Sequence, residues 1–272
     1  MHIEKFEFGL LIALICVSVI ALLIVYKRDL LMLQLNSYRN DRYVRWFNNS
    51  NESTTTNRIL CCVALFAILV KQFPFYGMGS MAIICVAIVC ISLLRIKYKK
   101  PLVFTSRAKR IYGIMIALST IIAGGLSFFG LYWTAIALLI MLVVSPMILL
   151  LANILLSPVE KSINKKYYND AARILKSMPD LKIIGVTGSY GKTSTKHYLY
   201  RILQEKFDVV MTPGSYNTTM GVIRTVREYL KPYNEVFIVE MGAKQPGDIK
   251  EICDLVKPQI GIVSAVGEQH LE

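Results

Sequence analysis

Five apolar runs set between strongly basic segments restrict the first half of this chain more than any other feature. They cover 8–26, 59–73, 78–94, 111–129 and 131–156. The first carries no charge, the second has Lys71 near its end, and the third follows a break at Pro74 and Gly77. The fifth contains Pro146, which a membrane helix tolerates. A bilayer-spanning helix needs roughly 20 mostly apolar residues. Buried soluble helices could account for any single run, but not for five in succession with short basic loops between them. The first run is not a cleavable leader, because Glu4, Lys5 and Glu7 precede it in place of a basic region and no small-residue cleavage site follows. The expected fold class is therefore a multi-span α-helical membrane region of about five helices over 1–156, followed by something different.

Charge predicts the orientation. Arg28, Arg39, Arg42, Arg45 and Arg58 follow the first run, Arg95, Lys97, Lys100, Arg107 and Arg110 follow the third, and Lys161, Lys165, Lys166 and Arg173 follow the fifth. The other connections carry almost no charge. Basic loops stay in the cytoplasm, so the N-terminus is expected outside and everything after 156 inside, as a multi-pass protein of a bacterial cell membrane. The net charge of +13 arises in these segments, because from Lys182 onward 11 Lys/Arg face 10 Asp/Glu. The basic character points to anionic lipid headgroups and not to nucleic acid, and it serves equally as a bare topology signal. Five of the six cysteines lie in the apolar runs, where packing is their expected role.

The second half carries the chemistry. Thr187-Gly188-Ser189-Tyr190-Gly191-Lys192-Thr193-Ser194 has the form of a phosphate-binding loop. An apolar strand precedes it and a helix follows. The glycines let backbone N–H groups close on an anion and the helix N-terminus adds positive potential. Lys192 meets the outer phosphates and the Thr193 hydroxyl reaches Mg²⁺. Val186 stands where the strict pattern has its first glycine, which narrows the family. Strands are expected over 182–187, 209–212, 235–241 and 260–266, and helices over 193–206, 220–230 and 247–256. This alternation predicts an α/β P-loop domain with a mainly parallel sheet over 182–272, with ligands at the carboxyl ends of its strands. Between the halves, 157–181 reads as an amphipathic connector helix lying against the headgroups, begun after Ser157-Pro158 and stopped by Pro179.

Three further motifs follow the loop in order. They are Thr212-Pro213-Gly214-Ser215-Tyr216-Asn217-Thr218-Thr219-Met220-Gly221-Val222, then Val239-Glu240-Met241-Gly242-Ala243, then Val266-Gly267-Glu268-Gln269-His270-Leu271-Glu272. Together with T-G-S-Y-G-K-T-S they resemble the central ATP-binding domain of the Mur ligases, nearest to the MurF-type D-alanyl-D-alanine-adding branch. Ser215 and Thr218 stand where that branch has Asn. The resemblance covers about a third of the chain. The family's UDP-sugar domain, its adenine-binding part and its C-terminal domain have no counterpart in these 272 residues. A fragment of a longer protein, or an incomplete enzyme without ligase turnover of its own, is therefore expected.

The resemblance implies ATP and Mg²⁺ as cofactors. It implies Gly188, Ser189, Tyr190, Gly191, Lys192, Thr193, Ser194 and Asn217 as nucleotide-binding residues. Thr193, Glu240 and His270 would be metal ligands, and Lys192, Glu240 and His270 the catalytic set. A hard cation between phosphates wants such carboxylate and hydroxyl oxygens. Lys196, one turn beyond Lys192, is expected to face away from the phosphates and to matter little, and His197 to be packed or solvated. The implied activity is an acid–amino-acid ligase that forms an amide through an acyl phosphate. Its partners would be the lipid bilayer, a lipid-linked or UDP-linked cell-wall precursor, and an amino acid or dipeptide. A polyglutamate-synthase-like ligase is the alternative within the class. A transporter or flippase subunit with a regulatory nucleotide domain is the alternative outside it, disfavoured because the runs lack interior charges.

Overall fold

The computed structural model describes residues 2–49, 54–70, 75–98, 100–243 and 246–267. The chain divides into two compact units, Met1–Pro158 and Val159–Glu272.

Helices are the regular elements of the first unit: α1 His2–Leu35, α2 Asn40–Asn49, α3 Thr54–Leu69, α4 Phe75–Arg95, α5 Ser106–Ser127, α6 Leu131–Val143 and the start of α7 Ser145–Lys176. Leu14, Ala21, Leu30, Val86, Met115 and Leu139 are buried in its core. Small residues such as Ala21, Ala82 and Ala135 let helix backbones approach closely. The buried Tyr26 hydroxyl lies 2.6 Å from Ser119 Oγ, a hydrogen bond that joins α1 to α5. Four helices are long and apolar enough to cross a membrane: Glu7–Leu35, Gly77–Arg95, Ser106–Ser127 and Ser145–Lys176. Thr56–Leu69 and Leu131–Val143 are apolar but shorter.

The structure departs from the sequence expectations at three places here. The fifth run is two helices, because α6 ends at Val143 and α7 restarts at Ser145, with Pro146 in its first turn. Proline is pre-organised for a helix start, where its missing N–H leaves no bond unmade. At the other end Pro158 does not stop α7, which runs through it to Lys176. No separate connector forms; the segment read as lying on headgroups is the last part of α7, and its Tyr167, Ala171, Ile174 and Leu175 pack into the core of the second unit. Finally, α1 continues past Tyr26 to Leu35 and buries Arg28 and Asp29, while α3 buries Asn57. The helical unit therefore does contain interior charge.

The second unit holds a four-stranded parallel sheet of β1 Lys182–Thr187, β2 Val209–Met211, β3 Val236–Glu240 and β4 Ile260–Val263, in the order β2-β3-β1-β4. Between the strands run α8 Lys192–Leu203, α9 Thr219–Glu228 and α10 Asp248–Val256. Successive strand residues point to opposite faces. Ile183, Phe237 and Val239 pack with α9, α10 and the end of α7, while Ile184, Val186, Val236 and Ile238 pack with Leu199 and Leu203 of α8. The register Val186↔Glu240 sets the end of β3 beside the start of the loop that follows β1.

Candidate nucleotide site

The loop between β1 and α8 depends on two glycines. Gly188 has φ +140° and Gly191, the residue before α8, has φ +79°; both values disfavour side chains. A Cβ on Gly188 would also collide with Ser264 Oγ, just beyond β4. That serine donates to the Tyr190 carbonyl at 2.5 Å. The amides of Ser189 and Tyr190 both donate to the Ala265 carbonyl, at 2.8 and 3.2 Å. Ser189 Oγ donates to the Gly267 carbonyl at 2.8 Å and accepts from the Gly267 amide at 3.1 Å. The segment after β4 thus fastens the loop from one side. Lys192 is the first residue of α8, and its ammonium donates to the Gly188 and Ser189 carbonyls at 2.5 and 3.2 Å. Its charge sits over the loop at a helix N-terminus, where anions are favoured. Tyr190 and Ser194 are exposed on the loop and the first turn of α8.

A buried carboxylate faces this loop. Glu240 ends β3 and is 1% exposed. Its Oε2 accepts from Thr193 Oγ1 at 3.1 Å and from Lys196 Nζ at 2.8 Å, and its Oε1 lies 3.4 Å from Asn217 Nδ2. Its backbone amide donates to Thr212 Oγ1 at 3.0 Å. Gly242 donates to the Asn217 carbonyl at 2.7 Å, and a side chain there would run into the Asn217 amide at 2.8 Å. This contact explains the glycine of the E-M-G triplet and aims Asn217 at Glu240. Thr187, Gly188, Lys192, Asn217, Thr218 and Gly242 line one side of a cavity of about 720 Å³ at the carboxyl ends of the strands.

Among the described residues the sequence-read set therefore converges: Gly188, Ser189, Gly191, Lys192, Thr193, Asn217 and Glu240 surround one end of the sheet. His270 lies outside the described residues. His197 is exposed on α8, consistent with a solvated histidine. Lys196 is a correction. It is completely buried, pairs with Glu240 and donates to the Gly214 carbonyl at 2.6 Å. A signal for it existed, because Lys196, Leu199 and Leu203 share the i, i+3, i+7 stripe that faces the sheet. Thr212 opens the second motif but the motif gives it no role, and Ser264 escaped sequence reading, since a lone hydroxyl just beyond a strand carries no motif.

The donors fit a magnesium–nucleotide complex. Mg²⁺ takes one or two carboxylates or hydroxyls and completes its shell with phosphate oxygens and water. Thr193 and Glu240 already touch, so one ion could take both. No group of three or more metal-ligating His, Cys, Asp or Glu side chains occurs among the described residues. A site here would thus draw further ligands from the nucleotide itself.

A parallel sheet, a glycine loop closed by a lysine at a helix start, and a buried carboxylate on the adjacent strand define a phosphate-loop nucleotide-binding module. Comparison with known proteins narrows this class. Residues 186–272 match the Mur ligase middle domain. The UDP-N-acetylmuramoyl-tripeptide–D-alanyl-D-alanine ligase of Synechocystis sp. is 41% identical over 91 residues, which are 34% of this chain and 20% of that protein. The protein of the same name from Mycobacterium tuberculosis is 40% identical over 95 residues, 34% of this chain and 18% of that one. The chain thus spans about a fifth of the length of these relatives. Among solved structures, MurF ligase from Thermotoga maritima in complex with ADP aligns at 36% identity and a TM-score of 0.38, covering 40% of this chain and 25% of that one.

Proposed function

We propose that this chain is the membrane-embedded, nucleotide-binding part of an ATP-dependent MurF-type ligase of the bacterial envelope. The observation that carries the reading is the convergence of Thr193, Asn217 and Glu240 beside Lys192, on the motifs that match the Mur ligase middle domain. Lys192 and the backbone amides at the start of α8 would hold the nucleotide's phosphates. Thr193 and Glu240 would hold Mg²⁺, with His270 the further ligand that the family resemblance implies. Bound there, Mg²⁺ would supply charge neutralisation at the transferring phosphoryl group. The acceptor's carboxylate attacks the γ-phosphate, giving an acyl phosphate and releasing ADP. An amine then displaces phosphate and forms the amide. Positioning and charge neutralisation are the protein's share of the catalysis. The relatives act on a UDP-N-acetylmuramoyl-tripeptide and D-alanyl-D-alanine, as their names state. Here the acceptor is a UDP-linked or lipid-linked precursor of the same kind, and the donor an amino acid or dipeptide.

The membrane part of the proposal rests on surface chemistry. Phe66, Leu94, Ile121 and Met147, on four helices, are 66% to 71% exposed, an exterior suited to lipid and not to water. Helices α1, α3, α4 and α5, with α6 and the first part of α7 together, make five crossings. The N-terminus lies outside and the basic segments and nucleotide unit lie in the cytoplasm. The test is binding of a fluorescent ATP analogue by the full chain in nanodiscs, with and without Mg²⁺. Saturable, Mg²⁺-dependent binding weakened in both Lys192→Ala and Glu240→Gln is expected. Binding that is indifferent to both substitutions would refute the nucleotide reading.

A further inference from the structure

We propose that the apolar unit carries a second anion site, built from Arg28, Asn57 and Arg58, that takes one oxygen of a phosphate group. This rests on the reading of that unit as membrane-embedded. Arg28 and Asp29 lie near the end of α1, Asn57 and Arg58 in the first turns of α3, and Ser145 opens α7. Arg28, Asp29, Asn57, Arg58 and Ser145 line one small cavity of about 20 Å³. That is room for one oxygen-sized group and no more.

Hydrogen-bond accounting shows what the cavity lacks. Asp29 Oδ2 accepts from Ser145 Oγ at 2.7 Å, and Arg28 Nε donates to Tyr98 OH at 3.2 Å. Arg28 Nη2 and Asn57 Nδ2 are buried with no partner among the described residues, as is the hydroxyl of Tyr43, which does not itself line the cavity. These side chains are 9%, 6% and 1% exposed. All three can donate, and buried donors left unmade cost about 1–3 kcal/mol each. Charge points the same way. Two guanidinium groups face one carboxylate, an excess of one positive charge in an apolar surround. A water molecule could accept the hydrogen bonds but would leave the charge. An anionic oxygen meets both needs, and guanidinium groups suit phosphate oxygens in particular. Arg58 is only partly buried and its guanidinium lies 3.7 Å from the Phe47 ring centre, so the cluster is not sealed.

Depth supports a headgroup as the source. Gln34 donates to the Val103 carbonyl at 2.8 Å, and Asn153 donates to the Tyr38 carbonyl at 3.1 Å, marking a polar level at this end of the unit. Asp29 lies five residues before Gln34 on the same helix, about 7.5 Å deeper at 1.5 Å per residue. A lipid phosphate must therefore sit below that polar level, entering by the open side at Arg58, to put one oxygen into the cavity. The experiment uses the full chain, purified in detergent and read by native mass spectrometry and ³¹P NMR. Wild-type chain should retain one phosphatidylglycerol, and Arg28→Gln should bind it roughly 10- to 100-fold more weakly. Arg28→Lys, which keeps the charge but loses the fork, should fall between them. Asn57→Leu removes an unpaired donor without touching charge and guards against a folding defect in the arginine variants; it too should weaken retention. If inorganic phosphate binds the wild type in lipid's place and is lost in Arg28→Gln, the anion site stands and its source is a free phosphate. Equal retention by wild type and all three variants overturns the proposal. Carbonate extraction separates the two readings: release of the wild-type chain would refute membrane embedding, whereas a retained chain with unchanged lipid binding would refute only this site.

Discussion

Lys196 should be among the most stabilising side chains of the nucleotide unit. Its ammonium lies 2.8 Å from Glu240 Oε2, with the two side chains 0% and 2% exposed. At that separation and an effective dielectric near 20, the gross attraction is about 6 kcal/mol. Desolvation of both ions offsets much of it, so the pair itself is worth far less. Removing one partner is another matter, because Glu240 would stay buried and unpaired and the Gly214 carbonyl would lose its donor. Such a break costs about 3–5 kcal/mol. Lys196→Met, similar in volume, should destabilise the unit by that amount. Adding Glu240→Leu should recover most of it, since an apolar pair can replace a buried ion pair at little cost. Hydrogen exchange of the β3 and α8 amides in nanodiscs reads both variants. A loss below about 1 kcal/mol in Lys196→Met, the range of exposed pairs, would refute the argument. So would a double variant whose loss equals the sum of the singles.

Lys192→Ala in the same preparation should weaken Mg-nucleotide binding about 10- to 150-fold, the worth of one charge-assisted contact in a partly desolvated site; unchanged affinity by calorimetry would contradict it. Gly188→Ala combines a disfavoured φ with a collision at Ser264. It should abolish nucleotide binding while Gly261→Ala on β4, with no positive φ and open space around its Cβ position, retains it; equal binding by the two would show that the loop is not held as described. Reporter fusions at Ser106 and Asp180 should give cytoplasmic signals and one at Gly130 an exterior signal, and any reversal would overturn the five-crossing topology.

What the sequence made legible follows the reach of each interaction. The sheet was readable because strands covered on both faces appear as unbroken apolar runs, as in 236–239. The site followed from local motifs, since Thr193, Asn217 and Glu240 each sit near a strand end or helix start, whereas the strand order β2-β3-β1-β4 emerges only from the pairing of the strands. Two misreadings came from treating a residue type as its usual environment. Lysine is normally exposed, so a Lys196 turned away from the phosphates is expected to matter little, although its position on the α8 stripe puts it against β3. Pro158 was read as a stop, yet proline forfeits a single bond within a long helix and α7 continues. The third failure has a different cause. Lys27, Arg28 and Asp29 look like the end of a span in any local window. They continue α1 because Asp29 meets Ser145, 116 residues away, and Arg28 meets Tyr98, 70 residues away. A buried charge is recognisable only once its partner is known, so interior polar clusters are the features a sequence hides best and the ones in which a structure adds most to function.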